Sequence, residues 1–63
     1  MTKIELKEIE LENEVTLRKE LSEKLASTND PASKKTYADQ IEVSDKKIMR
    51  LRQELKQMKG SAT

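Results

Sequence analysis

The run Asn29-Asp30-Pro31 constrains the fold most, because it divides an otherwise continuous helical sequence almost in half. Proline disfavours helical geometry at the preceding residue and clashes with the carbonyl group four residues back. Asp30 is a favourable N-cap, and Pro31 a favourable first helical residue. Two helices of similar length joined by so short a turn fold back on each other more readily than they form one kinked helix. The sequence therefore predicts an all-α, antiparallel two-helix hairpin, with helices over about 3–27 and 31–59 and a turn at 28–30.

The composition indicates a helical chain that needs reinforcement from outside its own core. A core in a chain of 63 residues rarely supplies more than about 3–5 kcal/mol without a disulfide, a metal or a partner. Cysteine and histidine are absent, which excludes disulfides and the common zinc sites. Only 33% of residues are apolar, but the charged residues (40%) nearly cancel to +1, so the composition does not indicate disorder. We therefore expect oligomerisation or docking on another protein.

The first helix is expected to begin with a capping box formed by Thr2 and Glu5. Its apolar residues spread over a wide stripe rather than a narrow seam. A stripe of that width suits contact with more than one neighbouring helix. Its members are Ile4, Leu6, Ile9, Leu11, Val15, Leu17, Leu21 and Leu25.

The second helix carries a cleaner heptad seam of about four repeats. Gly60 is the expected C-cap. Ser44 in this seam and Arg18 in the first helix interrupt the apolar layers. One interpretation is that they form polar layers that set specificity. The other is that Ser44 fits a small space, and that Arg18 packs its aliphatic part while its charged group reaches solvent. The seam consists of Tyr37, Ile41, Ser44, Ile48, Leu51, Leu55, Met58 and Ala62.

The charge distribution favours the antiparallel hairpin independently. Residues 5–14 carry five acids and one base, whereas residues 46–59 carry six bases and one acid. Antiparallel folding lays these segments side by side. Each exposed ion pair stabilises the fold by only about 0.2–1 kcal/mol. Several attractive pairs together nevertheless favour the antiparallel orientation of the helices over the parallel one.

The residue types offer little to catalysis. Without histidine or cysteine, a catalytic group would need a dry concave pocket, which two helices cannot enclose. Glu8 and Glu12 lie one turn apart and could share a metal ion, but such pairs are common on highly charged helices. No apolar run exceeds two residues, which argues against a membrane span or a signal peptide. We predict a complete, soluble, cytoplasmic protein that is not an enzyme and takes no cofactor, metal or small-molecule substrate.

The basic stretch 46–59 suggests nucleic-acid binding as an alternative, since phosphate contacts supply most non-specific affinity. The acidic half of the first helix would lie alongside it, however, and the chain has a single aromatic residue, Tyr37. A net charge of +1 is also small for such a role. We therefore expect these bases to be solvated or paired with acids.

The turn region resembles the hairpin turn of type III secretion needle subunits. The residues that carry this resemblance are Lys24-Leu25-Ala26, Asp30-Pro31-Ala32, Tyr37 and Ile41. Small helical-hairpin co-chaperones that hold such subunits share the general shape. The resemblance implies a self-assembling structural subunit or a secretion co-chaperone as an alternative function. The second helix departs from that family by ending in Lys and Arg, where needle subunits are more apolar.

We interpret the chain as a non-enzymatic protein–protein interaction module: a small regulator, adaptor, inhibitor or co-chaperone. It is expected to act through an apolar helical face, either as an antiparallel homodimer forming a four-helix bundle or with a protein partner that completes the bundle. A lone hairpin would leave part of the first helix's apolar stripe exposed. The predicted interface residues are Leu6, Leu17, Leu21, Leu25, Tyr37, Ile41, Ile48, Leu51, Leu55 and Met58.

Overall fold

A computed structural model describes residues 1–61 and shows two helices packed against each other. Helix α1 comprises Lys3–Ser27, and helix α2 comprises Pro31–Ser61. A three-residue turn joins them, as the helix-breaking residues around Pro31 predict. The helical hairpin is thereby confirmed. Neither helix contains, within the described residues, a stretch apolar enough to cross a lipid bilayer.

Side-chain caps define where both helices begin. The Glu5 amide donates a hydrogen bond to the Thr2 hydroxyl at 3.1 Å, and the Thr2 amide donates to the Glu5 carboxylate at 3.3 Å. This is the predicted capping box. At the start of α2, the Asp30 carboxylate accepts hydrogen bonds from the amide (3.2 Å) and the hydroxyl (2.8 Å) of Ser33. Asp30 therefore satisfies an amide that the helix itself leaves unpaired.

Helix α2 continues two residues beyond its expected end at about residue 59. Gly60 does not act as a C-cap, because α2 continues through it to Ser61. A C-cap glycine adopts a positive φ, and no described glycine does so. Glycine tolerates helical geometry at a cost of about 1 kcal/mol, and no turn at Gly60 diverts the chain. The predicted seam position Ala62 lies outside the described residues.

The core lies in the seam between the helices. Leu51 has no exposed surface, and Leu21, Ile48 and Leu55 are almost completely buried. The predicted heptad seam of α2 is confirmed from Tyr37 to Met58, since all of its members in that range are buried or half-buried.

The prediction for α1 needs correction, because its inner face is a narrow seam and not a wide stripe. The less exposed positions of α1 recur every three and four residues, and Lys7, Glu14 and Arg18 occupy three of them. Counting only apolar residues missed this spacing. Long charged side chains pack their aliphatic parts in the seam and keep their charged groups at the edge of the seam. The seam of α1 consists of Ile4, Lys7, Leu11, Glu14, Arg18, Leu21 and Leu25.

The hairpin is one helix thick. Its principal dimensions are 50 × 18 × 11 Å, as expected of two long helices that lie side by side. Stable domains normally bury their apolar surface between two packed layers. Both broad faces of this single layer are therefore open to solvent.

Candidate functional site: an apolar flank of the hairpin

The surface that we call the leucine flank is the side of the hairpin that carries Leu6, Leu17 and Val43. These three side chains are 54%, 45% and 67% exposed, respectively. Leu6 and Leu17 are eleven residues apart, which is three helical turns, so they lie on the same side of α1. Leu17 and Val43 line one groove between the helices.

Half-buried and buried apolar residues form the floor of this flank. Near the open end of the hairpin, a groove beside Leu6 is lined by Ile4 and Met58. Towards the turn, the groove between Leu17 and Val43 reaches Leu21. The flank thus offers two apolar recesses along its length, with charged side chains between them.

Those charged side chains form a chain of alternating sign that crosses the flank from one helix to the other. The Lys7 ammonium lies 2.8 Å from the Glu54 carboxylate and 3.8 Å from that of Glu10. The Arg50 guanidinium lies 3.2 Å from the other oxygen of Glu54. The order across the surface is therefore Glu10, Lys7, Glu54, Arg50. We call these four residues the ion chain.

The pKa values of the two central residues move in the directions that this pairing requires. The hydrogen bond to Glu54 and its negative charge raise the pKa of Lys7. The same hydrogen bond, aided by the charges of Lys7 and Arg50, lowers the pKa of Glu54. Both central side chains therefore remain charged over a wider pH range than when isolated.

A polar layer also lies inside the seam, where sequence reasoning left its role open. Ser44 is 2% exposed and donates its hydroxyl hydrogen to Glu14 Oε1 at 3.0 Å. Glu14 Oε2 lies 3.5 Å from the Lys47 ammonium. Glu14 was not recognised as a seam residue from the sequence. The signal that could have found it is its position, seven residues before Leu21 and seven after Lys7.

Arg18 is part of a second cross-helix contact. Its guanidinium donates a hydrogen bond to the Asp45 carboxylate, and the two groups form an ion pair. Of the three acids near Arg18 in a hairpin of this register (Asp39, Glu42 and Asp45), the structure pairs it with Asp45. Together with the pairs Lys7–Glu54 and Glu14–Lys47, this contact fixes the antiparallel register.

The predicted pairing of the acidic segment 5–14 with the basic segment 46–59 holds for one pair only, Glu14 with Lys47. The pair between Lys7 and Glu54 joins the one base of the acidic segment to the one acid of the basic segment. The other pairs of Glu10, Lys46 and Arg50 are with residues of their own helix.

The face opposite the leucine flank, here called the charged flank, carries unpaired charges. Glu8 and Glu12 of α1 and Arg52 and Lys56 of α2 are exposed there, and none is within 4 Å of an opposite charge among the described residues. Met49, 69% exposed, lies on the same side. Val15, 41% exposed, lies two turns after Glu8 and therefore on this side of α1 as well.

The ten predicted interface residues fall into three groups. Leu6 and Leu17 are exposed on the leucine flank. Leu25, Tyr37, Ile41 and Met58 are half-buried along the seam. The other four, which are Leu21, Ile48, Leu51 and Leu55, are buried between α1 and α2. A partner can reach the first group directly and the second in part, so the accessible apolar surface is narrower than expected, and it includes Val43, which the prediction omitted.

Within residues 1–61, no three acidic side chains come together in an arrangement that could hold a metal ion. Comparison with models of protein families, with curated proteins and with solved structures finds no match for this chain.

Proposed function

We propose that the hairpin is a non-enzymatic protein-binding module and that the leucine flank is its docking surface. The observation that carries this proposal is the exposure of Leu6, Leu17 and Val43 beside two grooves with apolar floors. Exposed apolar surface rimmed by polar residues is typical of protein-interaction sites. A helix laid between α1 and α2 would bury these side chains and give the single layer its second layer.

The expected partner segment is an amphipathic helix. A groove between two helices accommodates apolar side chains spaced at one face of a third helix. The alternating charges of the ion chain would contact polar residues at the edge of that helix and select its register. This mode of binding is available to small regulators, adaptors, inhibitors and co-chaperones, and the proposal covers this class as a whole. It also includes a cytoplasmic location, in keeping with a composition free of cysteine.

The test is binding by matched variants of the intact chain. Val43→Asp places a charge on the leucine flank, and Met49→Asp places the same charge at a position of nearly equal exposure on the charged flank. The proposal predicts that in-cell crosslinking with mass spectrometry finds crosslinks to a protein at the leucine flank. Val43→Asp should abolish them and Met49→Asp should preserve them. Equal capture by the two variants would contradict the leucine flank as the docking surface.

A further inference from the structure

The ion chain has two open ends of opposite sign. Its central members, Lys7 and Glu54, are half-buried, whereas its end members, Glu10 and Arg50, are exposed. Glu10 marks the α1 edge of the leucine flank with a negative charge, and Arg50 marks the α2 edge with a positive charge. A surface with a negative edge on one helix and a positive edge on the other is complementary to a copy of itself.

We propose that the partner of the leucine flank is a second copy of this chain, related by a twofold axis parallel to the helices. This inference rests on the proposed function and names its partner. Such an axis places α1 of each copy against α2 of the other, with both open ends at the same end of the bundle. Glu10 of each copy then faces Arg50 of the other. The two ion chains close into one ring of eight alternating charges.

Two of the three apolar side chains that define the flank, Leu17 and Val43, match in the same arrangement. Leu17 and Val43 line opposite sides of one groove, and the neighbouring pairs Glu14–Lys47 and Arg18–Asp45 show that they stand at similar heights along the hairpin. A twofold axis parallel to the helices brings Leu17 of each copy onto Val43 of the other. The apolar contact thus forms twice, on the turn side of the charged ring.

The second possible twofold axis, perpendicular to the helices, does not produce this match. It lays α1 against α1 of the copy and α2 against α2. Glu10 and Arg50 are then kept apart, and the open ends of both ion chains remain unmatched. Charge complementarity therefore selects the parallel arrangement of hairpins.

The exposed area of the hairpin fits the size of such an interface. Its accessible surface is 4986 Å². A compact protein of 7.3 kDa is expected to expose about 4,200 Å². The excess of about 800 Å² equals the area that each partner contributes to a standard interface, about 800 Å². The excess is of the size that one face-to-face contact with a second copy would bury.

Charge reversal tests the pairing of Glu10 with Arg50 between copies. Glu10→Lys makes both edges of the flank positive, and Arg50→Glu makes both negative. We expect each variant alone to self-associate about tenfold more weakly than the original chain, because two favourable contacts become repulsive. An equimolar mixture should recover a heterodimer of near-original affinity, since unlike edges then meet. The double variant Glu10→Lys/Arg50→Glu should recover the homodimer.

Matched controls come from the charged flank. Glu12→Lys and Arg52→Glu reverse exposed charges on the same two helices and should leave self-association within about twofold of the original, because only long-range, screened effects remain. Sedimentation equilibrium over a wide concentration range measures each dissociation constant. Circular dichroism at the lowest concentration shows whether each variant retains its helices.

The outcomes separate the second copy from a foreign partner. Recovery in the mixture, together with loss of the dimer in Val43→Asp but not in Met49→Asp, supports the proposal. A chain that is monomeric at all concentrations overturns it, as does a mixture that fails to recover. If such a monomer still forms crosslinks to another protein that depend on Val43, the second copy is excluded but the docking function of the leucine flank stands. If those crosslinks are missing too, both proposals fail.

Discussion

Ser44 of α2, which is buried, donates a hydrogen bond of 3.0 Å to Glu14 of α1, which is half-buried. The hydroxyl and the carboxylate occupy seam positions where a coiled coil would normally carry apolar side chains. Glu14 is also paired with Lys47, and no buried side-chain polar atom among the described residues lacks a partner. The hydrogen bonds of this polar layer can form in one alignment of the helices. Other registers are therefore penalised, because a shift by one turn would leave the carboxylate without its donor.

Ser44→Ala should destabilise the hairpin by about 0.5–1.5 kcal/mol through loss of this hydrogen bond. Ser22→Ala, at an exposed position of α1, is the matched control and should change stability by less than about 0.5 kcal/mol. Urea denaturation followed by circular dichroism measures both. If the two variants are equally stable, the hydroxyl only fills a small space, which was the other interpretation of this residue.

Leu51→Ala should unfold much of the population. Leu51 has no exposed surface, and truncation of a fully buried leucine costs about 2–5 kcal/mol. That loss is comparable to the whole stability expected of a core this small, about 3–5 kcal/mol. Met49→Ala, two residues away and 69% exposed, should remain close to the original chain. Thermal melts at equal concentration compare the two, and a similar midpoint for both would contradict the described core.

The ends of the helices and the seam of α2 were predictable from the sequence because they depend on local chemistry. Pro31 and the caps at Thr2 and Asp30 act within three or four residues, and an apolar heptad is visible without knowing its partner. The seam of α1 was not predictable in this way. Glu14 occupies a heptad position of α1, but a pattern of apolar residues alone does not reveal it, and its role depends on a serine thirty residues away.

The leucine flank was predictable from the sequence only in part. Leu6 and Leu17 were among the predicted interface residues, whereas Val43, which lies off the α2 seam, was not. The ion chain could not be predicted either. Counting charges over whole segments hides Lys7, the one base of the acidic segment, and Glu54, the one acid of the basic segment. Pairing across a seam depends on which side of each helix a charge occupies, and a sum over a segment discards that information.

The cap at Asp30 should give the hairpin a dependence on acidic pH. Hydrogen bonds from the hydroxyl and the amide of Ser33 lower the pKa of this carboxyl below its ordinary value of 3.8. The folded chain therefore binds this proton more weakly than the unfolded chain. The stabilisation is fully present above the unfolded pKa and is lost as the pH falls through the lower folded pKa.

Asp30→Asn keeps a good N-cap but removes the titrating group, so this component of the acid dependence should disappear while α2 stays capped. Asp30→Ala should lose the cap at every pH. Carbon-13 NMR titration of the Asp30 carboxyl measures the pKa directly. A midpoint at or above the ordinary aspartate value would show that the cap does not favour the charged form.

Lys47 and Lys56 should respond differently to charge reversal, although both belong to the basic stretch 46–59. Lys47 lies 3.5 Å from Glu14 across the seam, whereas Lys56 has no acid within 4 Å among the described residues. Lys47→Glu should therefore destabilise the hairpin by about 1 kcal/mol or more, because a favourable pair becomes a repulsive one. Lys56→Glu should change stability by less than about 0.5 kcal/mol.

The same two variants separate an internal role of these bases from nucleic-acid binding. In a Glu14→Gln background the cost of Lys47→Glu should fall, because repulsion between two carboxylates is removed. Phosphate binding depends on the absolute sign of each charge, so a nucleic-acid role predicts equal loss of salt-sensitive duplex binding in Lys47→Glu and Lys56→Glu. Urea denaturation and a fluorescence anisotropy titration with generic duplex DNA measure the two effects. We expect a difference in stability between the variants. We expect no salt-sensitive binding of duplex DNA by the original chain, because three of the six bases in the stretch already face carboxylates of the hairpin. These bases are Lys46, Lys47 and Arg50.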